Sequence, residues 1–205
     1  MSGGLILASG SPRRAQLLGQ LGYRFSVARP DVDETQRANE PAADYVRRLA
    51  LAKLTRGAEL VSDAGCVVAG DTIVLADRLV LGKPATREAC LDMLARLSGR
   101  AHQVLTGMAV GLPQRRGVAI VRTQVLFRSV SMQEAGAYWD SGEPRDKAGG
   151  YGIQGAGGAF VRAVRGSYSN VVGLPQVETG RLLAAFSVAQ SADADAAAPS
   201  GAREG

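Results

Sequence analysis

An apolar run that stops at small residues, proline and arginine constrains the start of this chain more than any other feature. Residues 5–10, Leu-Ile-Leu-Ala-Ser-Gly, predict a strand that ends in a tight turn. Ser11 suits a helix N-cap and Pro12 the first helical position, so an amphipathic helix is expected next. The unpaired N–H groups at such a helix start, with Arg13 and Arg14 beside them, favour an anion. We therefore expect a ligand that carries phosphate.

The order of strand-like and helical segments favours a mixed α/β sheet over a regular parallel, doubly wound one. Two long β-rich runs, 102–112 and 118–130, are typical of an antiparallel hairpin. A buried strand is predicted over 66–76, with an interruption at Gly70-Asp71-Thr72. A long amphipathic helix is predicted after Pro41.

The apolar residues, 46% of 205, are enough to build the core of one domain or of two closely fused lobes. We assign residues 1–186 to a single domain. Residues 187–205 consist mostly of Ala, Ser, Asp, Pro and Gly. Such a composition buries too little apolar surface to order itself, so a disordered tail is predicted there.

The charge balance indicates an anionic partner. There are 24 Lys and Arg residues against 19 Asp and Glu, a formal net charge of +5. No block of five or more basic residues occurs, and aromatic residues make up only 5% of the chain, so a stacking platform for a nucleic-acid strand is poorly supplied. We expect a small-molecule nucleotide and no stable binding of nucleic acid.

Cysteine use and hydropathy favour the cytoplasm. Cys66 and Cys90 are the only cysteines and form no Cys-x-x-Cys pair, which is typical of buried free thiols in a reducing compartment. No apolar stretch approaches the ~20 residues of a membrane-spanning helix. The N-terminus lacks the basic segment of an export signal. We expect a cytoplasmic protein with no membrane partner.

Two features match known sites without the surrounding structure that such sites need. Residues 150–155 fit the dinucleotide pattern G-x-G-x-x-G, but no strand is predicted before them and no helix after them. His102 is the only histidine and has no evident partners for a zinc site or a catalytic triad. We expect His102 to be structural.

Asp71 is the most conspicuous acidic residue because it lies inside an otherwise apolar strand. A carboxylate there is costly unless it is paired or coordinates a cation. Together with Glu34, from the acidic stretch 31–34, it offers the oxygen ligands that Mg²⁺ prefers. The alternative is a strand bend at a bulge, with Asp71 facing water.

Four basic residues are candidates to neutralise phosphate. We expect the planar guanidinium of Arg13 to bind phosphate oxygens, whereas Arg14 is equally compatible with a solvated helical turn. Lys53 lies at the margin of the apolar stripe of its helix. Lys83 lies in the rigid turn 82–84 at a strand end.

Gln154 lies in the stretch 143–158, which contains six glycines. Its amide carries one donor group and one acceptor group, and uracil and thymine present a donor at N3 between two carbonyl acceptors. Cytosine presents a different edge. Gln154 is therefore a candidate for reading the base, the alternative being a structural loop with the amide in solvent.

Six sequence blocks, taken in order, resemble the Maf family of nucleoside triphosphate pyrophosphatases. The blocks are Ser9-Gly10-Ser11-Pro12-Arg13-Arg14, Asp31-Val32-Asp33-Glu34, Gly70-Asp71-Thr72, Gly82-Lys83-Pro84, the stretch 146–155, and Val172-Gly173-Leu174-Pro175. The resemblance implies an elongated two-lobed α/β structure with a central cleft, related to the inosine-triphosphate pyrophosphatases. It also implies hydrolysis between the α and β phosphates, with a divalent metal cation, Mg²⁺ or Mn²⁺, as cofactor.

The resemblance further implies roles for individual residues. Arg13, Thr72 and Gln154 together are similar to the branch that acts on dTTP and UTP. Asp71 would be the general base, and Asp71 and Glu34 the metal ligands. Substrate binding would also involve Ser9, Arg14, Lys53 and Lys83. Three questions stay open: whether the substrate is 7-methyl-GTP or another non-standard nucleotide, whether the chain is a non-catalytic regulator of cell division, and whether it forms a homodimer.

Overall fold

A computed structural model describes residues 4–61 and 65–190. Within these residues there are seven strands, six helices and three short 3₁₀ turns. The strands are β1 (Leu5–Ala8), β2 (Phe25–Ala28), β3 (Cys66–Ala76), β4 (Leu79–Leu81), β5 (Ala101–Gly111), β6 (Arg116–Phe127) and β7 (Val161–Arg165). The helices are α1 (Pro12–Gln20), α2 (Ala42–Glu59), α3 (Arg87–Leu97), α4 (Met132–Asp140), α5 (Tyr168–Val172) and α6 (Gln176–Ala185). The 3₁₀ turns are Glu143–Asp146, Ala148–Gly150 and Ala156–Phe160.

The strands form one mixed sheet in the order β2-β1-β3-β5-β6-β7, and β4 pairs with β3 outside this path. β1 is parallel to both β2 and β3, whereas the pairs β3–β5, β5–β6 and β6–β7 are antiparallel. The predicted mixed α/β sheet and its long hairpin are therefore confirmed. Within the described residues, no helix combines the length and the apolar character needed to cross a bilayer.

The start of α1 is as predicted. Ser11 has extended backbone angles, and its hydroxyl accepts a hydrogen bond from the N–H of Arg14 at 3.4 Å. Pro12 occupies the first turn, where its missing N–H costs no helical hydrogen bond.

The short helix α5 was not predicted from the sequence. It spans only five residues, too few for a recognisable apolar period, although Ser167 caps it through Asn170 N.

The predicted interruption of β3 is wrong. The strand runs unbroken from Cys66 to Ala76 and pairs in regular register with β5, so that Asp71 lies opposite Gly107 and Thr72 opposite Thr106. The bulge with Asp71 in water is therefore excluded too, and Asp71 is only 9% exposed. The sequence analysis predicted an interruption because a charged residue inside a strand is rare. Here the charge of Asp71 is tolerated because it is paired with a lysine, which is described below.

Two faces of the sheet carry different layers. Successive residues of a strand point to opposite faces, so Asp71 and Thr72 leave β3 in opposite directions. Helix α2 covers the face of Asp71 at close range, because a Cβ at Gly107 would lie 2.5 Å from the carbonyl oxygen of Val46. The face of Thr72 carries two apolar clusters, one around Val74 and the other around Val68.

Part of the segment predicted as a tail contacts the domain. Val188 packs against the cluster around Val68, and the side-chain amide of Gln190 donates to the carbonyl of Leu21 at 3.0 Å. Residues 191–205, the rest of that segment, lie outside the described residues.

His102 lies in an aromatic group within the core and is 3% exposed. Its Nε2 is 2.8 Å from the hydroxyl of Tyr151, and its ring contacts Phe127 edge-on at 4.9 Å between centroids. No hydrogen-bond partner for its Nδ1 occurs in the part of the chain that the structure describes. Burial lowers the pKa of His102 from 6.5 to about 4, because a charged imidazole would lose its hydration there.

This burial predicts a loss of stability in mild acid. Below its ordinary pKa the histidine of the unfolded chain takes up a proton while the folded one stays neutral, so stability is lost as the pH falls from 6.5 towards about 4. Between about pH 7.5 and about pH 5 we expect His102 to account for about 2 kcal/mol of unfolding free energy. Urea unfolding of wild type and of His102→Gln at the two pH values measures this difference in unfolding free energy. An equal pH dependence in both proteins would contradict the assignment.

Candidate active site

A gap in the strand pairing of β3 creates the cavity that holds the candidate site. β1 pairs with β3 only as far as Ala69, and β4 begins to pair with it at Val74. Between them, among the described residues, β3 has no strand partner on this side. A cavity of about 850 Å³ opens at this gap. The side chains of β3 can therefore reach the cavity from both faces of the sheet.

The cavity brings together every residue that the sequence analysis selected. Its lining comes from the loop after β1, the acidic loop, α2, β3, the turn after β4 and the glycine-rich loop. The selected residues in the lining are Ser9, Arg13, Arg14, Glu34, Lys53, Asp71, Thr72, Lys83 and Gln154. The predicted cleft is thus present, and its lining includes a member of each of the two clusters, Val74 and Val172.

Lys53 forms the electrostatic centre of the acidic side. Its Nζ lies 2.7 Å from Asp71 Oδ1 and 2.6 Å from Glu34 Oε1, and its side chain is 10% exposed. Partial burial alone would raise the pKa of Glu34, but the hydrogen bond and charge of Lys53, with lesser effects of Lys83 and Arg14, lower it below the ordinary value. Two carboxylates that line the cavity thus share one ammonium group.

Arg14 and Arg13 have different surroundings. The guanidinium of Arg14 donates to Gly173 O at 2.9 Å, Ser9 Oγ at 3.1 Å and Thr72 Oγ1 at 3.1 Å. Burial lowers the pKa of Arg14, and the negative charge of Asp71 opposes this effect. Of the two interpretations of Arg14, the solvated helical turn is therefore wrong. Arg14 ties α1 to β3 and to the loop before α6.

Thr72 has a structural partner that the sequence did not reveal. Its Oγ1 lies 2.9 Å from Thr106 Oγ1 on the neighbouring strand, and Thr106 donates to the carbonyl of Asn170 at 3.1 Å. Both Thr106 and Asn170 are fully buried. Arg14 is thus held by a chain of hydrogen bonds that crosses the core between the two apolar clusters. The role of Thr106 could not be predicted from the sequence, because threonine is common in strands.

Arg13 faces a second acidic group at the other side of the cavity. Its NH1 lies 3.3 Å from Asp146 Oδ2, and Lys147 forms an ion pair with the same carboxylate. These two cations lower the pKa of Asp146, although its partial burial acts the other way. Lys83 is exposed on the wall of the same cavity. Lys147 is a further cation of the site that the sequence analysis did not select, although it lies in one of the six blocks.

Gln154 is exposed at the cavity, and its side-chain amide makes no hydrogen bond within the described residues. The donor and the acceptor of the amide are thus both available. This arrangement is compatible with each of the two interpretations of Gln154, base reading and solvation.

The acidic side fits a divalent cation of the hard type. Glu34 and Asp71 provide carboxylate oxygens, and both bond to the same Lys53 ammonium, so they lie close enough to share one ion. In the described residues, no group of three or more His, Cys, Asp or Glu side chains could enclose an ion. The donor set suits Mg²⁺ or Mn²⁺ bound by one or two carboxylates, with the other ligands coming from phosphate and water.

The two arginines should differ in what they contribute to stability. Lysine at position 14 cannot reproduce three donors in fixed directions, so Arg14→Lys should cost about 2 kcal/mol or more of unfolding free energy. The matched variant Arg13→Lys removes one partly exposed ion pair and should cost less than about 0.5 kcal/mol. Urea unfolding measures both. Equal costs would show that Arg14 does not tie these elements together.

Comparison with known proteins places this architecture in a family. Residues 4–186 match the family described as Maf-like protein. The dTTP/UTP pyrophosphatase of Vibrio vulnificus (strain YJ016) is 50% identical over 182 residues, which cover 89% of this chain and 98% of that protein. The dTTP/UTP pyrophosphatase of Hahella chejuensis (strain KCTC 2396) is 49% identical over 186 residues, which cover 90% and 92%.

Among solved structures, the Ham1 protein of Staphylococcus aureus superposes with a TM-score of 0.42 at 16% identity, over 60% of this chain and 71% of that one. The family match itself spans the sheet and every residue of the cavity named above. With relatives near 50% identity over most of its length, this chain belongs to the Maf family.

Proposed function

We propose that this chain hydrolyses dTTP, UTP and modified pyrimidine triphosphates between the α and β phosphates, releasing the nucleoside monophosphate and pyrophosphate. The observation that carries the proposal is one cavity lined both by the acidic cluster on Lys53 and by the basic side chains of Arg13, Lys83 and Lys147. Relatives of about 50% identity that bear the name dTTP/UTP pyrophosphatase support it.

The basic group suits a triphosphate. Arg13, Lys83 and Lys147 line one cavity, and a nucleoside triphosphate brings several negative charges that such cations stabilise. In the structure Arg13 and Lys147 are paired with Asp146. Phosphate oxygens would therefore replace the Asp146 carboxylate on these two side chains. Arg14 acts behind them by holding the first turn of α1 in place.

A divalent cation, Mg²⁺ or Mn²⁺, belongs to this proposal, with Glu34 and Asp71 as its protein ligands. When bound, it supplies charge neutralisation at the phosphate oxygens. Lys53 holds the two carboxylates together and oriented towards the cavity.

Asp71 is the group proposed to accept a proton. One of its oxygens is bonded to Lys53, and the residue borders the cavity, where a water molecule can approach. As the oxygen of that water bonds to the α phosphorus, Asp71 takes its proton, and the bond from the α phosphorus to the bridging oxygen breaks. Pyrophosphate leaves from the side of the basic group.

Gln154 is the residue proposed to read the base. Its amide can donate to a carbonyl of uracil or thymine and accept from the N3–H at the same time. In cytosine N3 is an acceptor and the exocyclic amine is a donor, so the same pair of contacts does not form. This selection requires the amide to be held in one place and in one orientation, because a 180° rotation would exchange its donor and acceptor and suit cytosine instead.

The same proposal assigns the protein to the cytoplasm, where free nucleoside triphosphates are present. Cys66 and Cys90 are both buried and unpaired with each other, as is usual in a reducing compartment.

The catalytic role of Asp71 predicts a large loss of turnover in Asp71→Asn, which keeps the shape of the side chain but is a far weaker base. We expect kcat for UTP with Mg²⁺ to fall by about 100-fold or more. Pyrophosphate release, assayed separately from orthophosphate, measures it. Asp140→Asn, a change on an exposed carboxylate outside the cavity, is the matched control and should keep wild-type turnover. Full activity of Asp71→Asn would refute the mechanism.

A panel of dTTP, UTP, CTP, GTP and 7-methyl-GTP with the wild-type protein separates the open substrate questions. Turnover concentrated on 7-methyl-GTP would identify a different substrate for the same chemistry. Binding of UTP without release of pyrophosphate would identify a regulator instead of an enzyme.

The base-reading role predicts a change of selectivity in Gln154→Glu. A carboxylate accepts but does not donate, so it repels a carbonyl of uracil and suits the amine of cytosine. The ratio of kcat/KM for UTP to that for CTP should fall by about tenfold or more. An unchanged ratio would remove Gln154 from base recognition.

A further inference from the structure

The loop that carries Gln154 is anchored by the carboxylate of Glu143. Glu143 follows α4 and begins the first 3₁₀ turn, and its side chain is directed at the loop backbone. Its Oε2 accepts from Ala156 N at 2.8 Å, and its Oε1 accepts from Gly157 N at 3.3 Å. Both bonds fall within three residues of Gln154, on its C-terminal side.

Tyr138 extends the same anchor to the other side of Gln154. Its hydroxyl donates to Glu143 Oε1 at 2.8 Å and accepts from Gly152 N at 3.0 Å. The ring of Tyr138 is buried against Phe160, edge-on at 5.1 Å between centroids. The backbone before and after Gln154 is therefore tied, through one carboxylate and one hydroxyl, to the rigid core under α4.

The glycines of the loop are needed because the anchor lies so close. A Cβ at Gly155 would lie 2.4 Å from Glu143 Oε2, and one at Gly152 would lie 2.9 Å from Oε1. A Cβ at Gly157 would lie 2.5 Å from the hydroxyl of Tyr138. Real Cβ atoms do not approach so closely. Only glycine therefore allows the loop backbone to pack this close to the Glu143 carboxylate and the Tyr138 hydroxyl. The anchor thus accounts for two of the three glycines of the G-x-G-x-x-G pattern, Gly152 and Gly155, without a dinucleotide site.

The anchor is a charged acceptor. Partial burial opposes ionisation, but the Tyr138 hydroxyl and the N–H groups of Ala156 and Gly157 keep the pKa of Glu143 below its ordinary value. Hydrogen bonds to a charged acceptor are the stronger kind. The backbone carbonyl of the same residue accepts from Lys147 Nζ at 3.3 Å, so residue 143 contacts both the base-reading loop and a cation of the phosphate side.

We propose that Glu143 is a specificity-determining positioning residue, which sets the preference for uracil and thymine by fixing the loop 152–157 so that Gln154 faces the base. This inference rests on the proposed function and adds to it a residue that acts through the loop backbone. Glu143 borders the cavity, but both of its carboxylate oxygens accept hydrogen bonds from the loop or from Tyr138. Residue 143 also contacts one of the cations of the phosphate side, since its backbone carbonyl accepts from Lys147 Nζ.

The experiment compares Glu143→Ala, Glu143→Gln and Tyr138→Phe with wild type. Alanine removes both acceptors. Glutamine keeps one oxygen but places an NH₂ group against a backbone N–H, and phenylalanine keeps the packed ring but removes the hydroxyl. The matched control is Glu134→Ala. Glu134 lies on α4, and like Glu143 it is a carboxylate that accepts a backbone N–H, in the capping box with Ser131, but it lies outside the cavity.

The first readout is kcat/KM for UTP and for CTP, with pyrophosphate as product. We expect Glu143→Ala to lower the UTP to CTP ratio by about tenfold or more, mostly through KM for UTP, with a smaller effect in Glu143→Gln and Tyr138→Phe. Glu134→Ala should lose thermal stability but keep the ratio. A merely structural role of Glu143 would lower turnover of both nucleotides equally.

The second readout is amide hydrogen exchange of residues 152–157 without nucleotide. Glu143→Ala should speed exchange at Ala156 and Gly157 by about tenfold or more, whereas Glu134→Ala should not. If the wild type prefers UTP and Glu143→Ala keeps the same UTP to CTP ratio, this inference is overturned and the proposed function is not. A wild type that shows no preference for UTP would overturn the proposed function and this inference together.

Discussion

The site depends on the short stretch of β3 that, among the described residues, has a strand on only one of its two sides, and on the ion pair that makes a charge acceptable there. β1 ends its pairing at Ala69 and β4 begins at Val74, so the backbone between them borders a cavity instead of a neighbour. A carboxylate in this position would be strongly unfavourable if it were unpaired. Lys53 removes that cost from Asp71 and binds Glu34 as well, and the close packing of α2 on Gly107 brings the lysine there.

Because side chains alternate along β3, the acidic cluster and the contacts of Arg14 lie on opposite faces of the sheet. Asp71 points to the side of α2, where the acidic cluster forms, and Thr72 points to the side where Arg14 is held. Thr106 and Asn170 continue the second arrangement through the core, so hydrogen bonds connect the loop before α6, the start of α1 and the middle of β3. The acidic cluster and the arginine thus share one strand. Their separation follows from strand geometry and not from a flexible loop.

The prediction from sequence was most accurate where local rules suffice. Ser11 and Pro12 define the start of α1 through capping and a fixed φ, and the hairpin of β5 and β6 follows from two long apolar runs. It failed at Gly70-Asp71-Thr72, because the partner that stabilises Asp71 is distant in sequence. It also missed Thr106, Lys147 and Glu143, whose residue types are common on strands and in loops. Their contacts exist only after strands, helices and loops have packed.

The sequence by itself determined most of the element types, the mixed sheet, the expectation of an anionic ligand and nine of the residues that border the cavity, because these follow from periodicity, capping, charge and the ordered motif blocks. Only the tertiary structure decided what each charge faces. It pairs Lys53 with two carboxylates, turns Arg14 inward and Arg13 towards Asp146, and places Glu143 behind Gln154. The physical reason is that electrostatic and hydrogen-bond partners are set by distances of a few ångströms, which chain order does not specify.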